Sequence, residues 1–180
     1  EDGKVKILDR RIYPARVEFV TCGTHQEVAQ AITDMVTQSA GPYTAVPMGM
    51  ALAAHECRDK TAAEQMEYLR KAAHTISHAR PTTVKRMALL CDLCLAEAER
   101  ALAAGEDTAQ AIVNKTVELN NTRYERVAKI GKYLVDLFPE NGTVMTHCFA
   151  ETIVGMMLRE CSERGKHIRI FCPETRPYFQ

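Results

Sequence analysis

Apolar residues are spaced in two different ways along this chain, and the change falls near Pro139. Before that residue they recur at every third or fourth position, which is the spacing of amphipathic helices. Two short apolar runs at 4–9 and 16–20 come first and predict a small β element. The helical spacing predicts helices over about 24–38, 44–57, 62–78, 83–102 and 107–138. Residues 1–138 are therefore predicted to be a mainly helical domain, a small β element followed by a helical bundle.

The pattern after Pro139 is strand, helix, strand. A short apolar strand leads to Cys148, a helix follows, and a second apolar strand contains Ile168 and Ile170. Such a unit places its two strands parallel, with a right-handed crossover. We predict an α/β protein overall, in which residues 139–180 begin a second domain with the first β-α-β unit of a parallel sheet. Because parallel sheets are covered on both faces, we expect further sequence or another chain to complete this one.

Reactive and charged side chains follow both predicted strands. Cys148 comes after the first strand, and Glu174 and Arg176 come after the second. The ends of parallel strands meet at one edge, where open α/β sheets bind ligands, so these side chains are predicted to converge. Cys148 is also predicted to open a helix, whose N-terminal partial charge favours a thiolate. The alternatives are a buried, inert cysteine and a surface pair of Glu and Arg.

Composition narrows the class of protein and of partner. Lysine and arginine together number 23, as do aspartate and glutamate, so neither nucleic acid nor an anionic membrane is predicted as a partner. No apolar run is long enough to predict a membrane-spanning helix. The seven cysteines are an odd number without a disulfide framework, which favours free thiols in a reducing compartment. We therefore expect a cytoplasmic protein.

Three further motifs have a functional and a structural interpretation. Cys91 and Cys94 resemble a metal or redox pair, but they lie in a leucine-rich helix without a second pair, which favours core packing. His74 and His78 share a helical face near a helix end, where the dipole favours cationic histidine, and no third ligand is evident. No metal site is predicted. Arg80 precedes a proline at a helix end and is either a phosphate ligand or a solvated cap.

Four motifs together resemble one protein family. They are Ile-Leu-Asp at 7–9, Ala-Arg-Pro-Thr at 79–82, Thr-His-Cys at 146–148 and Glu-Thr-Arg-Pro-x-x-Gln at 174–180. The same motifs occur in this order in S-methyl-5-thioribose-1-phosphate isomerases. Ribose-1,5-bisphosphate isomerases and the regulatory subunits of translation initiation factor 2B share them in part. The resemblance covers nearly the whole chain, and its two C-terminal motifs are the specific ones.

The resemblance implies a fold and a reaction. A helical N-terminal domain would precede a Rossmann-like domain, and the protein would form a homodimer. The reaction implied is the conversion of an aldose 1-phosphate to a 1-phosphoketose, a step of methionine salvage, on a phosphorylated pentose-like molecule and without metal or organic cofactor. The family's catalytic aspartate lies beyond the position of Gln180. The remaining C-terminal half, as a continuation or a separate chain, is therefore an implied partner, and the isolated chain is expected to be inactive.

The resemblance also implies roles for particular residues. Cys148 matches the catalytic cysteine, and Arg80 and Gln180 match contacts to the substrate phosphate and sugar. Residues 39–41, which are Ser39, Ala40 and Gly41, fall in the segment where the family has an Arg-Gly-Ala phosphate contact.

The chain departs from the family pattern at two places. Gln38 stands where the family has the arginine of that contact, and Phe149 replaces a small polar residue after the cysteine. Losing a charged hydrogen bond costs about 1.5 to 3 kcal/mol, so the usual substrate would be held differently. These departures favour a non-catalytic regulatory or binding subunit similar to those of initiation factor 2B, whereas the intact Thr-His-Cys motif favours an enzyme. A ribose-1,5-bisphosphate isomerase is the other alternative.

Overall fold

The structure is a computed structural model and describes residues 3–174. The chain divides into two compact units between Leu119 and Asn120, inside the longest helix. The sequence boundary predicted at residues 138 and 139 follows the change of apolar spacing instead. The predicted domains 1–138 and 139–180 stay a prediction.

The first unit begins with an antiparallel hairpin. Strand β1 (Val5–Leu8) pairs with β2 (Phe19–Cys22), with Val5 opposite Cys22 and Leu8 opposite Phe19. Val5, Ile7 and Cys22 are buried, as strand alternation requires. The first predicted strand is confirmed, whereas the second starts at Phe19 and not at residue 16. The backbone N–H of Arg16 donates to the carbonyl of Ile12 at 3.0 Å, which keeps that segment in a turn.

Four helices and the first part of a fifth complete the first unit. They are α1 (His25–Thr33), α2 (Pro42–Glu56), α3 (Ala62–Ser77), α4 (Val84–Ala104) and α5 (Thr108–Asp136), with a 3-10 turn at Pro81–Thr83. Thr24 and Thr61 cap α1 and α3 with their side chains. Gly105, with φ of 68°, ends α4 in the left-handed region. These local signals explain why the predicted helices are present.

The first helix is shorter than predicted. It ends at Thr33 instead of residue 38, because Met35 and Ser39 take positive φ values of 60° and 53°. The intervening Val36 is nonetheless buried, as are the polar Thr37 and Gln38. The apolar spacing therefore continues past the helix end although the helical backbone does not.

Close approach of three helices forms the core of the first unit. A Cβ atom at Gly49 of α2 would lie 2.9 Å from Val28 Cγ1 and 3.1 Å from Ile76 Cδ1, so glycine lets α1 and α3 pack directly on α2. Cys91 and Cys94 of α4 are buried. Burial raises the pKa of both thiols to about 12. Their interpretation as core side chains is confirmed.

The second unit contains the end of α5 and a parallel β-α-β unit. Strand β3 (Asn141–Met145), helix α6 (Glu151–Glu163) and strand β4 (His167–Phe171) follow in order. The two strands pair in parallel from Asn141 opposite His167 to Met145 opposite Phe171. The predicted fold class is confirmed: a mostly helical chain with a small N-terminal hairpin and a C-terminal β-α-β unit.

One face of this two-stranded sheet is covered and the other is not. Val154 and Met157 of α6 are buried in a small core, against which Ile168 and Ile170 pack. On the opposite face Met145 is 74% exposed and Phe171 is 53% exposed. Within residues 3–174, each helix falls short of the length and apolarity that a bilayer crossing requires.

Candidate functional site

The loops that leave β3 and β4 are joined by one residue, Thr146. Its backbone N–H donates to the carbonyl of Phe171 at 2.9 Å, which extends the parallel pairing past the end of β3. Its hydroxyl oxygen lies 2.8 Å from the carbonyl oxygen of Cys148 and 3.2 Å from the sulfur of Cys172. The two strand exits are therefore neighbours at one sheet edge, as the parallel topology predicts.

Cys148 lies in the exposed loop between β3 and α6. Its φ of 77° is in the left-handed region, which costs a residue other than glycine about 1 to 3 kcal/mol unless its surroundings hold it. The bond from Thr146 to its carbonyl is one such constraint. The prediction that Cys148 opens the helix is wrong, because α6 begins at Glu151 with Ala150 in the N-cap position. Phe149 and Ala150 connect Cys148 to the first residue of α6.

Glu174 lies three residues beyond β4, exposed at the second strand exit. It follows Cys172, whose sulfur contacts Thr146 of the first exit. Two other predicted substrate-binding residues, Arg176 and Gln180, lie outside the described residues. The thiol and the carboxylate thus leave adjacent strands on the same edge.

Ser39, Ala40 and Gly41 form the turn that leads into α2. The N–H of Gly41 donates to the carbonyl of Gln38 at 2.8 Å, and the N–H of Tyr43 donates to that of Ala40 at 3.1 Å. Pro42, the first residue of α2, has no N–H to offer. Phosphates bind helix starts through free backbone N–H groups, and those of Gly41 and Tyr43 already donate within the chain. A side chain at Gly41 would overlap the hydroxyl of Thr37, so glycine is required there.

A cavity of about 220 Å³ lies beside this turn, between the hairpin and α2. Lys6 and Arg10 line it together with Gln38. The backbone N–H of Arg10 donates to the carbonyl of Val36 at 2.9 Å, which ties the hairpin to the turn. The residue pattern alone did not indicate that these two cations lie beside the turn. The position of Arg10 directly after the Ile-Leu-Asp motif is the sequence feature that could have pointed to it.

Arg80 sits half-buried at the start of the 3-10 turn in the first unit. Its carbonyl accepts from the N–H of Thr83 at 3.2 Å. The neighbouring carbonyl of Ala79 accepts from the hydroxyl of Thr33 at 2.9 Å, which anchors the Ala-Arg-Pro-Thr motif to the end of α1. The motif therefore has a fixed backbone from which the guanidinium extends.

The rings of His74 and His78 stack on each other at the end of α3. Their rings stack with centroids 4.0 Å apart, and Nδ1 of His78 lies 2.9 Å from the carbonyl oxygen of His74. Among residues 3–174, no three side chains of the metal-binding types gather at one point. Stacking at the end of α3 accounts for the pair.

Comparisons with known proteins agree with this architecture. A sequence profile described as "Initiation factor 2 subunit family" matches residues 40–180. The methylthioribose-1-phosphate isomerase of Thermotoga maritima is 30% identical over 184 residues, which cover 98% of this chain and 52% of that protein. The chain therefore spans about half the length of the curated relatives it matches.

Solved structures give the same result at the level of the fold. The delta subunit of the translation initiation factor eIF-2B from Archaeoglobus fulgidus matches with a TM-score of 0.78 and 28% identity, over all of this chain and 54% of that one. The 5-methylthioribose 1-phosphate isomerase from Pyrococcus horikoshii matches with a TM-score of 0.75 at 24% identity, over 98% of this chain and 52% of that one, a likeness of fold. The order of motifs, the β-α-β unit and the profile match agree, and the chain belongs to the initiation factor 2 subunit family.

Proposed function

We propose that this chain is part of an aldose–ketose isomerase that acts on a sugar 1-phosphate, of the methylthioribose-1-phosphate isomerase kind. The observation that carries the proposal is the position of Cys148, an exposed thiol at the shared edge of two parallel strands. Its backbone is held in a left-handed conformation by Thr146, and such conformations cluster at functional sites. The 30% identity to the isomerase of Thermotoga maritima supports the same reaction class.

In this proposal Cys148 is the catalytic residue that assists movement of a proton or hydride between C1 and C2 of the sugar. Its exposed side chain lies in the loop that leads from β3 into α6, which begins three residues further on at Glu151. Glu174, at the neighbouring strand exit, shapes the site together with Arg176. Gln180 contacts the sugar. No metal or organic cofactor takes part.

We assign the phosphate of the substrate to Arg80, because guanidinium groups bind phosphate in a bidentate manner. Residues 39–41 contribute less to this contact than in the family pattern, because the amides of Gly41 and Tyr43 already donate within the chain. Lys6 and Arg10 line the cavity that Gln38 also lines, and the guanidinium of Arg10 lies 5.5 Å from the ring centroid of Tyr13. In this proposal these two cations compensate for the missing family arginine.

The remaining half of a protein of the relatives' length would complete the site. The uncovered sheet face, with Met145 74% exposed, is the surface that further strands and helices of a Rossmann-like domain would cover. That half, as a continuation or as a separate chain, would supply the catalytic aspartate. The assembled protein would act as a cytoplasmic homodimer, and residues 1–180 alone would be inactive.

Turnover by the native-length protein tests the proposal. Methylthioribose 1-phosphate and ribose 1,5-bisphosphate are the substrates, and Cys148→Ser is the variant. Removing an acid–base group lowers rates by about 10²- to 10⁴-fold, and that loss is expected here. Cys161→Ser is the control, because Cys161 is a buried cysteine of α6 outside the strand exits. Unchanged turnover of every aldose 1-phosphate by Cys148→Ser would overturn the assignment.

The second candidate is a non-catalytic subunit that binds a sugar phosphate or nucleotide. Its support is the 0.78 TM-score to the eIF-2B delta subunit and the occupied amides at the start of α2. Crystals soaked with ribose 5-phosphate, ribose 1,5-bisphosphate and nucleotides distinguish the two. A sugar C1 next to Cys148 supports the isomerase, whereas a nucleotide bound away from Cys148, without turnover, supports the regulatory subunit.

A further inference from the structure

The seven cysteines differ in their access to solvent. Five are buried, and burial raises the pKa of each of these thiols: Cys22, Cys57, Cys91, Cys94 and Cys161. The thiolate is the form that reacts with oxidants, so these five are protected. Cys148 is exposed and Cys172 is half-buried. The two accessible thiols are therefore the two at the exits of β3 and β4.

Both of these cysteines contact the same hydroxyl group. Thr146 Oγ1 lies 2.8 Å from the carbonyl oxygen of Cys148 and 3.2 Å from the sulfur of Cys172, so that oxygen and that sulfur are at most about 6 Å apart. The Thr146 hydroxyl is placed to donate both to the Cys148 carbonyl and to the Cys172 sulfur, and its single proton is shared between these acceptors. Thr146 thus holds the backbone of one cysteine beside the sulfur of the other.

We propose that Cys148 and Cys172 form an oxidation site in which a hydroperoxide oxidises Cys148 and Cys172 then closes a disulfide with it. The Cys148 thiolate attacks the peroxide oxygen, the O–O bond breaks, and a sulfenic acid and water or an alcohol result. The Cys172 thiolate then attacks the sulfenic sulfur and releases its oxygen as water. Two thiols and one hydroperoxide give one disulfide, one water and a second water or an alcohol, so atoms and electrons balance.

Closure of the disulfide calls for a movement of the loop that carries Cys148. A disulfide requires Cα atoms about 4.4 to 6.8 Å apart. Cys172 directly follows β4 beside Thr146, and Cys148 is two residues further along its own loop, outside helix and strand. The left-handed φ of Cys148 is unfavourable for a residue other than glycine, so its present backbone conformation is not an intrinsically preferred one.

Disulfide formation is a reaction of the two thiols and does not depend on isomerase activity. Its consequence does rest on the proposed function, since a disulfide would remove the catalytic thiol. Oxidation would then switch the isomerase off, and a thiol reductant would restore it.

Peptide mapping after oxidation tests the proposal. The purified chain is treated with hydrogen peroxide, free thiols are alkylated, and the protein is cut with trypsin without reduction. Cleavage after Lys132, Arg159 and Arg169 places Cys148 in peptide 133–159 and Cys172 in the peptide that begins at Ile170. Those two peptides are expected to be cross-linked and to separate on reduction. Cys148 oxidised singly, or linked to the Cys161 peptide 160–164, would overturn the proposal.

Two variants locate the chemistry. In Cys172→Ser the cross-link is lost and Cys148 accumulates as a sulfenic acid that dimedone captures. Thr146→Val keeps the side-chain shape without the hydroxyl and should form the cross-link several-fold more slowly. Its matched control is Thr143→Val, an exposed position of β3, the strand that Thr146 directly follows. Equal cross-linking rates in the two threonine variants would contradict the role of the Thr146 hydroxyl in placing the two cysteines. If a variant does not fold, the peptide map of the oxidised wild-type protein still decides whether the disulfide forms.

Discussion

The two compact units differ in how completely they bury their apolar side chains. In the first unit Ile32, Leu69 and Ile76 are fully buried at the contact of three helices. In the second unit Val135 is buried in a small core, whereas Leu137, two residues further on, is 81% exposed. A helical bundle satisfies its apolar faces within one stretch of chain, whereas a parallel sheet requires cover on both sides. Cys148 thus lies in the unit that buries its apolar side chains less completely.

Replacing one leucine in each unit by alanine tests this difference in burial, and the largest effect on the free energy of unfolding is expected here. Leu69→Ala should lower the free energy of unfolding by about 2 to 5 kcal/mol, because it leaves a cavity in a packed core. Leu137→Ala, at an exposed position, should change it by no more than about 0.5 kcal/mol. Urea unfolding followed by circular dichroism measures both. A large loss at Leu137 would mean that this surface is covered in solution, and the comparison between the units would fail.

A buried polar cluster distinguishes the first unit further. Glu56, at the end of α2, accepts from the backbone N–H of His25 at 2.6 Å and from the hydroxyl of Tyr68 at 2.6 Å. It therefore links the start of α1 to α3. Tyr68→Phe removes one hydrogen bond to a charged group and should cost about 1.5 to 3 kcal/mol near neutral pH.

The same cluster gives a pH dependence. Burial, and next the hydrogen bond to Glu56, raise the pKa of Tyr68 to about 12, above its ordinary value of about 10. A raised pKa in the folded protein means that this contribution is fully present below pH 10 and is lost as the pH rises toward 12. Unfolding free energies across that range should fall less steeply for Tyr68→Phe than for the wild type. Parallel curves would contradict the cluster's role.

Glycine substitutions should have opposite signs in the two units. Gly49→Ala inserts a methyl group 2.9 Å from Val28 and should destabilise by about 1 to 3 kcal/mol through overpacking. Gly155→Ala, in α6, meets no atom within 4 Å and should stabilise by about 0.5 to 1 kcal/mol, because alanine favours the helix. Thermal unfolding of the two variants gives both signs. A destabilising Gly155→Ala would show that another surface packs on that side of α6.

Local signals in the sequence were sufficient for most of the fold. Thr24, Thr61 and Gly105 mark helix ends through their own side chains or dihedral preference, and the structure has helix ends at these positions. The end of α1 was predicted wrongly because the apolar spacing continues to residues that are buried without being helical. Thr37 and Gln38 are held by the packing of the turn, and periodicity alone does not distinguish such a turn from helix.

The candidate site was predictable only where a topological rule applied. Parallel strands end at one edge, which placed Cys148 and Glu174 at adjacent exits from sequence alone. The contact between Thr146 and Cys172 depends on the strand register, across 26 positions of sequence. The cavity with Lys6 and Arg10 depends on how the hairpin lies against α2. Neither long-range relation has a signature in residue spacing.

Helix caps give the smallest expected effect and the last contrast between the units. In the first unit Thr61 accepts from the N–H of Glu64, whose carboxylate accepts from the N–H of Thr61. In the second unit Ala150 precedes α6 and has no side-chain acceptor to offer. Thr61→Ala should therefore cost about 1 kcal/mol, whereas Ala150→Ser should stabilise by about 0.5 to 1 kcal/mol. Chemical denaturation resolves both, and serine adds no charge near Cys148. A destabilising Ala150→Ser would mean that the start of α6 already has a partner, and the second unit would then be less open than its exposed side chains indicate.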